Sequence, residues 1–229
     1  MLSIIVPALD EAATIEAALG RLAALRRNGC DVIVADGGSR DGTPGIAAPH
    51  CDRVVTAPRG RASQMNAGAA AARGDILLFL HADTRLPGDA EATIAAALAD
   101  PAALWGRFDV TIEGRHPALP LVAAMMNLRS RLTGIATGDQ AIFVRRAAFD
   151  AAGRFPDIPL MEDIALSARL RRMARPVCLR QRVTTSGRRW DKNGALGTIL
   201  LMWRLRLAYA LGADPAALAR RYGYVPRDG

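Results

Sequence analysis

Short apolar runs alternate with alanine-rich helical stretches over the first hundred residues, and this alternation restricts the fold more than any other feature. The apolar runs lie at residues 3–6, 31–35, 53–56 and 75–80. The helical stretches begin at Glu11, Arg61 and Asp89. Strands in such an order form a parallel sheet, and nearly continuous apolar strands are covered by helices on both faces. We therefore expect an α/β fold with a mostly parallel central sheet flanked by helices.

The second half of the sequence is less regular. Its pattern predicts strands at residues 105–112 and 140–144, a helix around residues 119–132, and helices after Asp163 and Gly194. The direction of these strands cannot be read from the pattern. No repeat or low-complexity linker divides the chain, and 229 residues fit one domain or one domain with a small appendage. We therefore expect a single functional site.

The charge balance points to an anionic partner. The chain carries 30 Lys and Arg residues against 22 Asp and Glu residues, a formal net charge of +8. A nucleic acid, a phosphorylated metabolite or an anionic membrane would suit this balance. Aromatic and basic residues do not interleave as they do in nucleic-acid-binding proteins, so we expect no nucleic-acid partner.

Cysteine usage and the apolar segments indicate the compartment. Cys30, Cys51 and Cys178 show no paired spacing, so neither a disulfide framework nor a zinc site is expected. The first residues lack the basic flank and long apolar region of a signal peptide. No segment reaches the roughly 18 apolar residues that span a bilayer. We expect a cytoplasmic protein, either soluble or peripheral at the inner face of the membrane.

Polar residues follow several of the predicted strands. Asp10 and Glu11 follow the first predicted strand. Residues 36–43 (DGGSRDGT) follow the second strand, and residues 81–84 (HADT) follow the fourth. Ligands of parallel sheets bind beyond the carboxyl ends of the strands, although purely structural loops could look the same. The acids of DGGSRDGT suit hydrogen bonds to a base or ribose better than contact with phosphate, and an elaborate turn is the alternative.

Two candidate groups for chemistry stand out. His81 and Asp83 occupy alternate positions and project to the same side of an extended chain, where they could share one metal ion. An imidazole favours manganese over magnesium; alternatively, His81 is a strand-end histidine hydrogen-bonded to a neighbour. Asp163 precedes an amphipathic helix, so it is either a general base or the N-cap of that helix.

The segment after Gly194 carries an apolar stripe. It consists of Leu196, Ile199, Leu200, Trp203, Leu207 and Leu211. Arg204 and Arg206 lie beside it, which is the pattern of a helix at a membrane interface. Packing of the stripe against the core is the alternative.

These elements, in this order, resemble glycosyltransferase family 2. The similar segments are SIIVPALDE, DGGSRDGT, HADT, GDQAIFVRR, FPDIPLMEDIALSARLRR and SGRRW. The resemblance covers residues 2 to about 190 and implies the GT-A fold, a Rossmann-like sheet with C-terminal helices. His81 stands where the family's metal motif has an acid, which leaves the metal and its strict requirement open. The chain also lacks the membrane helices of processive synthases, so it resembles the single-addition members.

The resemblance implies a nucleotide-diphosphate sugar donor, carrying UDP or GDP, and a divalent metal, Mn2+ or Mg2+, bound by Asp83 and His81. The residues expected around the donor are Pro7, Ala8, Asp10, Glu11, Asp36, Gly38, Arg59, Arg61, Gln64, Asn66, His81, Ala82, Asp83, Asp139, Arg188, Arg189 and Trp190. Some of these residues have a structural alternative. Arg59 and Arg61 could lie in a solvated loop, Asp139 could cap a turn, and Trp190 could be a partly buried surface residue.

The resemblance further implies that Asp163, beside Glu162, removes a proton from an acceptor hydroxyl that attacks the anomeric carbon with inversion. The acceptor is unspecified and could be lipid-linked. One GT-A domain would comprise a nucleotide-binding half (1–100), an acceptor and catalytic half (101–190) and a helical appendage (191–229). The alternatives are a nucleotidyltransferase, whose Gly-rich basic opening loop SIIVPALDE lacks, and a non-catalytic nucleotide-sugar-binding module.

Overall fold

The computed structural model describes residues 1–224, apart from the side chains of residues 189, 192, 193, 195 and 196. One seven-stranded sheet forms the centre of the molecule, in the order β3-β2-β1-β4-β6-β5-β7. Its strands are Leu2–Ala8 (β1), Asp31–Asp36 (β2), Arg53–Thr56 (β3), Ile76–Phe79 (β4), Trp105–Glu113 (β5), Phe143–Arg145 (β6) and Val177–Ser186 (β7).

Helices connect these strands and extend beyond the last one. They are Ile15–Gly20 (α1), Ala23–Arg27 (α2), Thr43–Ala47 (α3), Arg61–Ala71 (α4), Ala90–Ala97 (α5), Leu119–Thr133 (α6), Arg146–Ala151 (α7), Glu162–Met173 (α8), Arg188–Asn193 (α9), Ala195–Ala210 (α10) and Pro215–Tyr222 (α11). Short 3-10 turns cover Ala48–His50 and Gly138–Gln140. The described part of the chain contains no helix of sufficient length and hydropathy to cross a membrane.

The sheet is mostly parallel, which confirms the expected fold class. β1 pairs in parallel with β2 and β4, β2 with β3, and β5 with β7. β6 is the exception, because it runs antiparallel to both β4 and β5. Residues that precede β6 therefore lie at the same edge as residues that follow β4. This reversal brings the turn Gly138–Gln140 to the edge where HADT lies.

The core has one layer on each face of the sheet, as expected from strands that are apolar throughout. Ile4 and Val32 belong to one buried cluster, whereas their neighbours Ile5 and Ile33 belong to the other. Successive side chains of a strand point to opposite faces, so both faces of β1 and β2 are filled. α4 packs against β1 and β2 and covers one of these faces.

Several boundaries differ from the sequence-based expectations. The helix expected from Glu11 begins at Ile15 and is divided into α1 and α2. The strand expected at residues 140–144 is β6, which begins only at Phe143 because Gln140 lies in a 3-10 turn and Ala141 has φ 47°. β7, α7 and α9 were not predicted.

The C-terminal helices attach to the sheet domain through a third apolar cluster. Its buried members are Leu160, Met161, Leu205, Leu218 and Ala219. The first two lie just before α8, so α10 and α11 pack directly beside the segment that carries Asp163. The C-terminal helices are therefore part of the surroundings of the site.

Candidate functional site

A cavity of about 620 Å³ opens beside the carboxyl ends of β4, β5 and β7. Most of its wall is apolar and comes from α6, α8, α9 and α10. The charged side chains in its lining are Arg61, His81, Asp83, Arg129, Asp139, Asp163 and Arg206. A concave, mostly apolar space with a few convergent polar groups is typical of a small-molecule site.

His81 and Asp83 lie in a turn and not in an extended chain. The backbone N–H of Thr84 donates to the carbonyl of His81 at 3.0 Å, which closes the turn. The prediction that His81 and Asp83 project from alternate positions of an extended chain is therefore wrong. Both side chains nevertheless line the same cavity.

His81 is bonded to a neighbouring acid. Its Nδ1 lies 3.5 Å from Oδ1 of Asp139. Burial disfavours the protonated imidazole, but the hydrogen bond and charge of Asp139 outweigh burial and raise the pKa of His81. The pKa of Asp139 is held below its usual value, because the contact with His81 outweighs burial there too. These shifts favour a charged pair.

Gly138 permits this arrangement. A Cβ atom at Gly138 would lie 2.5 Å from Nε2 of His81, so only glycine lets the backbone approach the imidazole so closely. Nδ1 faces Asp139 and the Nε2 side faces Gly138, which directs neither nitrogen of His81 to a metal. The described residues contain no group of three or more side chains suited to hold a metal ion.

Asp83 is the carboxylate best placed to bind a cation. It is half-buried, lines the cavity and has Nη2 of Arg188 at 3.8 Å from its Oδ2. Magnesium and similar ions are commonly held by one or two carboxylates together with substrate phosphates, and such a site needs no complete protein cage. Asp83 fits this type of site.

Asp163 is not the N-cap of α8. The N-cap position belongs to Met161, whose φ of 72° turns the chain into the helix, and Asp163 lies in the first turn. Its Oδ2 accepts a hydrogen bond from the backbone N–H of Gly138 at 2.8 Å, and its Oδ1 accepts one from that of Ile164 at 2.7 Å. The carboxylate is thereby fixed at the cavity wall.

Glu162 points away from the cavity lining and holds Arg61. Its Oε1 lies 2.7 Å from Nε of Arg61. Glu162 is buried and Arg61 lines the cavity. The structure shows Glu162 in contact with the guanidinium of Arg61. The catalytic role that we expected for Glu162 beside Asp163 stays a prediction.

The carboxylates of Asp10 and Asp36, in the loops after β1 and β2, accept hydrogen bonds from backbone N–H groups of the second loop. Oδ2 of Asp36 accepts hydrogen bonds from the N–H groups of Gly38 and Ser39 at 2.9 and 3.0 Å. Oδ1 of Asp10 accepts one from the N–H of Arg40, which ties the two loops together. Asp10, Asp36 and Gly38 lie outside the cavity lining, and their contact with a nucleotide stays a prediction.

Four more residues that we expected around the donor lie near the ends of β1 and β4: Pro7, Ala8, Glu11 and Ala82. Glu11 accepts a hydrogen bond from Oγ1 of Thr14 at 2.6 Å and so shapes the start of α1. Ala8 and Ala82 are buried in the core, and Pro7 is half-buried in β1. None of the four lines the cavity, and their predicted donor contacts remain predictions.

The amides of Gln64 and Asn66 are engaged within the protein. Nε2 of Gln64 donates to the carbonyls of Ala8 and Ala35 at 2.6 and 3.0 Å, which clamps β1 to β2. Asn66 donates to the carbonyl of Phe155 at 2.8 Å and accepts from its N–H at 3.1 Å. These contacts give both side chains structural roles, although we had expected them around the donor.

The remaining predicted residues divide between the cavity and the surface. Trp190 lines the cavity, whereas Arg188 is exposed and reaches it through Asp83. Arg59 is exposed, with its guanidinium 5.8 Å from the ring centre of Tyr224. The side chain of Arg189 lies outside the described residues.

Two cavity residues, Arg129 and Arg206, were not predicted. Each is the last member of an i, i+3, i+4, i+7 series on its helix. The series are Val122, Met125, Met126 and Arg129 on α6, and Ile199, Met202, Trp203 and Arg206 on α10. In each helix, the periodicity assigns the position of the arginine to the apolar face. This unusual placement could have identified both residues from the sequence.

Solved structures of similar fold include several that were determined with a nucleotide or a nucleotide sugar. TarS of S. aureus, solved with UDP-GlcNAc, is 18% identical over 81% of this chain and 58% of its own, with a TM-score of 0.66. The mannosyltransferase PcManGT of Pyrobaculum calidifontis, solved with GDP-Man and Mn2+, is 25% identical over 98% of this chain and 65% of its own, with a TM-score of 0.65. This chain therefore spans less than two thirds of either one.

A third structure covers the whole of this chain. Glucosyl-3-phosphoglycerate synthase of Mycobacterium tuberculosis, solved with Mn2+, UDP and glucosyl-3-phosphoglycerate, is 22% identical over 100% of this chain and 82% of its own, with a TM-score of 0.63. Comparison with curated proteins gives no match. The family model described as glycosyl transferase family 2 matches residues 3–150, which is more than half of the chain. The chain therefore belongs to glycosyl transferase family 2.

Proposed function

We propose that this protein transfers a sugar from a nucleotide-diphosphate sugar to a hydroxyl group, with inversion at the anomeric carbon. The observation that carries the proposal is the carboxylate of Asp163, which the N–H of Gly138 fixes at the wall of a cavity that also contains Asp83. In a member of family 2, this arrangement suits a base on one side of a sugar and a diphosphate site on the other.

The donor proposed is a UDP- or GDP-sugar. TarS was solved with UDP-GlcNAc and PcManGT with GDP-Man and Mn2+, and both share the fold of this chain. We assign a divalent cation, Mn2+ or Mg2+, to Asp83 and the donor phosphates, and we leave His81 to its contact with Asp139. When bound, the cation would neutralise charge that develops on the leaving diphosphate.

The chemistry of the residues follows from their placement. Asp163 accepts the proton as the O–H bond of the acceptor breaks and the acceptor oxygen forms its bond to the anomeric carbon. The bond from that carbon to the diphosphate oxygen breaks, and its electron pair leaves with the diphosphate. Arg61, oriented by Glu162, and Arg188, beside Asp83, supply positive charge near this leaving group.

The C-terminal helices add a proposed membrane contact. Leu200, Trp203 and Leu207 of α10, and Leu211 directly after it, are all more than half exposed, so this part of the stripe is not packed against the core. Leu121, Leu128 and Leu132 of α6 are exposed as well. Exposed apolar stripes on a basic protein suit a peripheral position on an anionic membrane, and we propose the cytoplasmic face of that membrane.

Domain organisation follows the same proposal. We assign residues 1–100 to the half that carries the nucleotide loops, residues 101–190 to the acceptor side with Asp163, and residues 191–229 to a helical appendage. The described residues of this appendage include several that line the cavity. The family membership disfavours a nucleotidyltransferase. A non-catalytic binding module is the second reading, and it would bind the donor without transferring its sugar.

Calorimetric titration tests the proposal. UDP, GDP, CDP and dTDP are titrated into the protein with Mn2+ and again with a chelator. We expect one nucleotide to bind in a metal-dependent manner and Asp83→Ala to abolish this dependence. If no nucleotide binds under either condition, the assignment as a nucleotide-sugar enzyme fails. Binding without any transfer or hydrolysis of the matching sugar donor would instead support the binding module.

A further inference from the structure

Arg129 and Arg206 face the cavity without partners of their own. Nη2 of Arg129 and Nε of Arg206 are buried and have no hydrogen-bond partner among the described residues. No carboxylate in that part of the chain lies within ion-pair distance of either guanidinium. Buried donors without partners are rare in folded proteins and usually mark a place that a ligand or water fills.

The two guanidiniums also act on each other. Burial and the charge of Arg206 together lower the pKa of Arg129 to about 10. Like charges brought together beside apolar side chains repel each other, and an anion bound between them would relieve this repulsion. The charge of the two guanidiniums is offset by Asp163 and, for Arg206, also by Asp139, but a buried nitrogen of each still lacks a hydrogen-bond acceptor among the described residues.

The other charged groups of the cavity are already engaged. Arg61 is paired with Glu162, and His81 with Asp139. Asp163 accepts hydrogen bonds from backbone N–H groups, and Asp83 faces Arg188. Within the described residues, Arg129 and Arg206 are therefore the arginines of the cavity lining that no carboxylate holds within ion-pair distance.

The space next to this pair is apolar. Met125 and Met126 of α6 face the cavity from one helix, and Met202 and Trp203 of α10 from the other. Methionine side chains adapt to ligands of irregular shape, and tryptophan supplies a large flat surface. A ligand that satisfies this region needs an apolar body next to its anionic group.

The position of the pair indicates which substrate it serves. Asp163, the proposed base, is a carboxylate whose charge acts on both guanidiniums. The proposed diphosphate site lies at Asp83, on the turn after β4. An oxyanion between α6 and α10 would therefore belong to the molecule whose hydroxyl is deprotonated.

We propose that the acceptor is an anionic amphiphile: Arg129 and Arg206 bind its phosphate or carboxylate group, and its apolar body lies between α6 and α10. This inference rests on the proposed function and specifies its acceptor. The diphosphate of the donor is the other source of an oxyanion in this cavity. The test below separates the two sources.

Binding of octyl phosphate, octanol and inorganic phosphate tests the site. We compare the wild type with Arg129→Gln and Arg206→Gln, each titrated calorimetrically at probe concentrations below micelle formation. Arg204→Gln is the matched control, because Arg204 is an exposed arginine on the same helix outside the cavity lining. Circular dichroism verifies that all variants are folded.

Octyl phosphate should bind the wild type at least about tenfold more tightly than octanol or inorganic phosphate. Hydrogen bonds to a charged group contribute enough that losing either arginine should weaken this binding about tenfold to a hundredfold. Arg204→Gln should change it less than about twofold. The titration with UDP and GDP in the presence of Mn2+ should be unchanged in all three variants.

Other results would overturn the proposal in distinguishable ways. Equal binding of octyl phosphate to all variants would mean adsorption to an apolar surface. Weaker nucleotide binding in Arg129→Gln and Arg206→Gln, with octyl phosphate unaffected, would assign the pair to the donor diphosphate. Nucleotide binding without octyl phosphate binding would refute the acceptor site alone. If octyl phosphate binds as expected but no nucleotide binds, the proposed function is refuted and the anion site is still supported.

Discussion

The Nε atom of Arg61 lies 2.7 Å from Oε1 of Glu162, and this ion pair joins the start of α4 to the start of α8. Glu162 is only 2% exposed, and its Oε2 has no hydrogen-bond partner among the described residues. Burial raises the pKa of Glu162, Arg61 opposes this rise, and Asp163 adds to it. Arg61 therefore limits the rise in the pKa of a buried carboxyl group beside the proposed base.

Replacing Arg61 by methionine should destabilise the fold by about 3 kcal/mol at neutral pH, because a buried carboxylate loses its partner. A carboxyl group whose pKa is raised on folding binds its proton more tightly in the folded state, so acid favours folding. The loss in Arg61→Met should shrink as the pH falls and Glu162 becomes protonated. Urea unfolding at several pH values measures both effects. The exposed Arg59→Met should lose about 1 kcal/mol or less at every pH; equal losses in both variants would contradict the interpretation.

Gly138→Ala should break the contact between His81 and Asp139. The new Cβ would lie 2.5 Å from Nε2 of His81, and forcing extra volume into a packed site costs about 1–3 kcal/mol. Asp139 raises the pKa of His81, so its displacement should lower that pKa, which NMR titration of the imidazole measures. Gly88→Ala is the control, since nothing lies within 4 Å of a Cβ there. An unchanged imidazole pKa in Gly138→Ala would show that the pair tolerates the methyl group.

Asp163→Asn should lose about 10²- to 10⁴-fold in turnover, because the amide cannot accept the acceptor's proton. The variant keeps one oxygen for the N–H of Gly138 and leaves the N–H of Ile164 without its acceptor, which should cost about 1–3 kcal/mol of stability while the fold and nucleotide binding are retained. The release of the nucleoside diphosphate measures turnover, and calorimetry measures nucleotide binding. Asp150→Asn, which alters an exposed ion pair with Arg154, should retain normal turnover. Full activity in Asp163→Asn would remove this residue from the mechanism.

Leu207→Gln and Leu211→Gln should weaken binding to anionic vesicles by about tenfold each, because burial of a leucine side chain contributes about 1.5–3 kcal/mol. Leu207 is 63% and Leu211 79% exposed, so the free energy of unfolding should hardly change. Vesicle flotation measures the binding, and Ala210→Gln on an exposed position of the same helix is the control. Wild-type protein that does not float with anionic vesicles would refute the membrane contact.

Asn66→Ala should destabilise the protein by about 1–3 kcal/mol, because the N–H and carbonyl of Phe155 both lose their partner. Nucleotide affinity should be unchanged if Asn66 serves only the fold. Thermal unfolding and nucleotide titration on the same sample measure the two quantities. A large loss of nucleotide affinity in a folded Asn66→Ala variant would instead support the predicted contact between Asn66 and the donor.

The first half of the sheet was predictable because its strands are apolar throughout and alternate with helices. β7 was missed for the opposite reason: Arg180 and Arg182 interrupt its apolar pattern, and they are tolerated because β7 is an edge strand. Edge strands of natural proteins commonly carry such charges, which prevent pairing with other chains. Local apolarity therefore indicates central strands much better than edge strands.

Contacts across the site could not be read from local patterns. The pairing of His81 with Asp139 depends on the antiparallel direction of β6, and nothing in residues 140–144 reveals that direction. Asp163 was identified through the family resemblance, but its hydrogen bond with Gly138 depends on the same reversal. Arg206 was assigned to the polar side of an interfacial helix, since only the packed position of α10 shows that it faces the cavity.

Hydrogen bonds within the protein join the loop after β1 to the loop after β2. Besides the contact of Asp10 with Arg40, the N–H of Glu11 donates to Oγ1 of Thr43 and that of Ala12 to Oδ2 of Asp41. Ordering a backbone costs about 1–2 kcal/mol per residue, and here this entropy is lost when the chain folds. A nucleotide that binds these loops meets a rigid, preorganised receptor, so little of its binding free energy is consumed in ordering them.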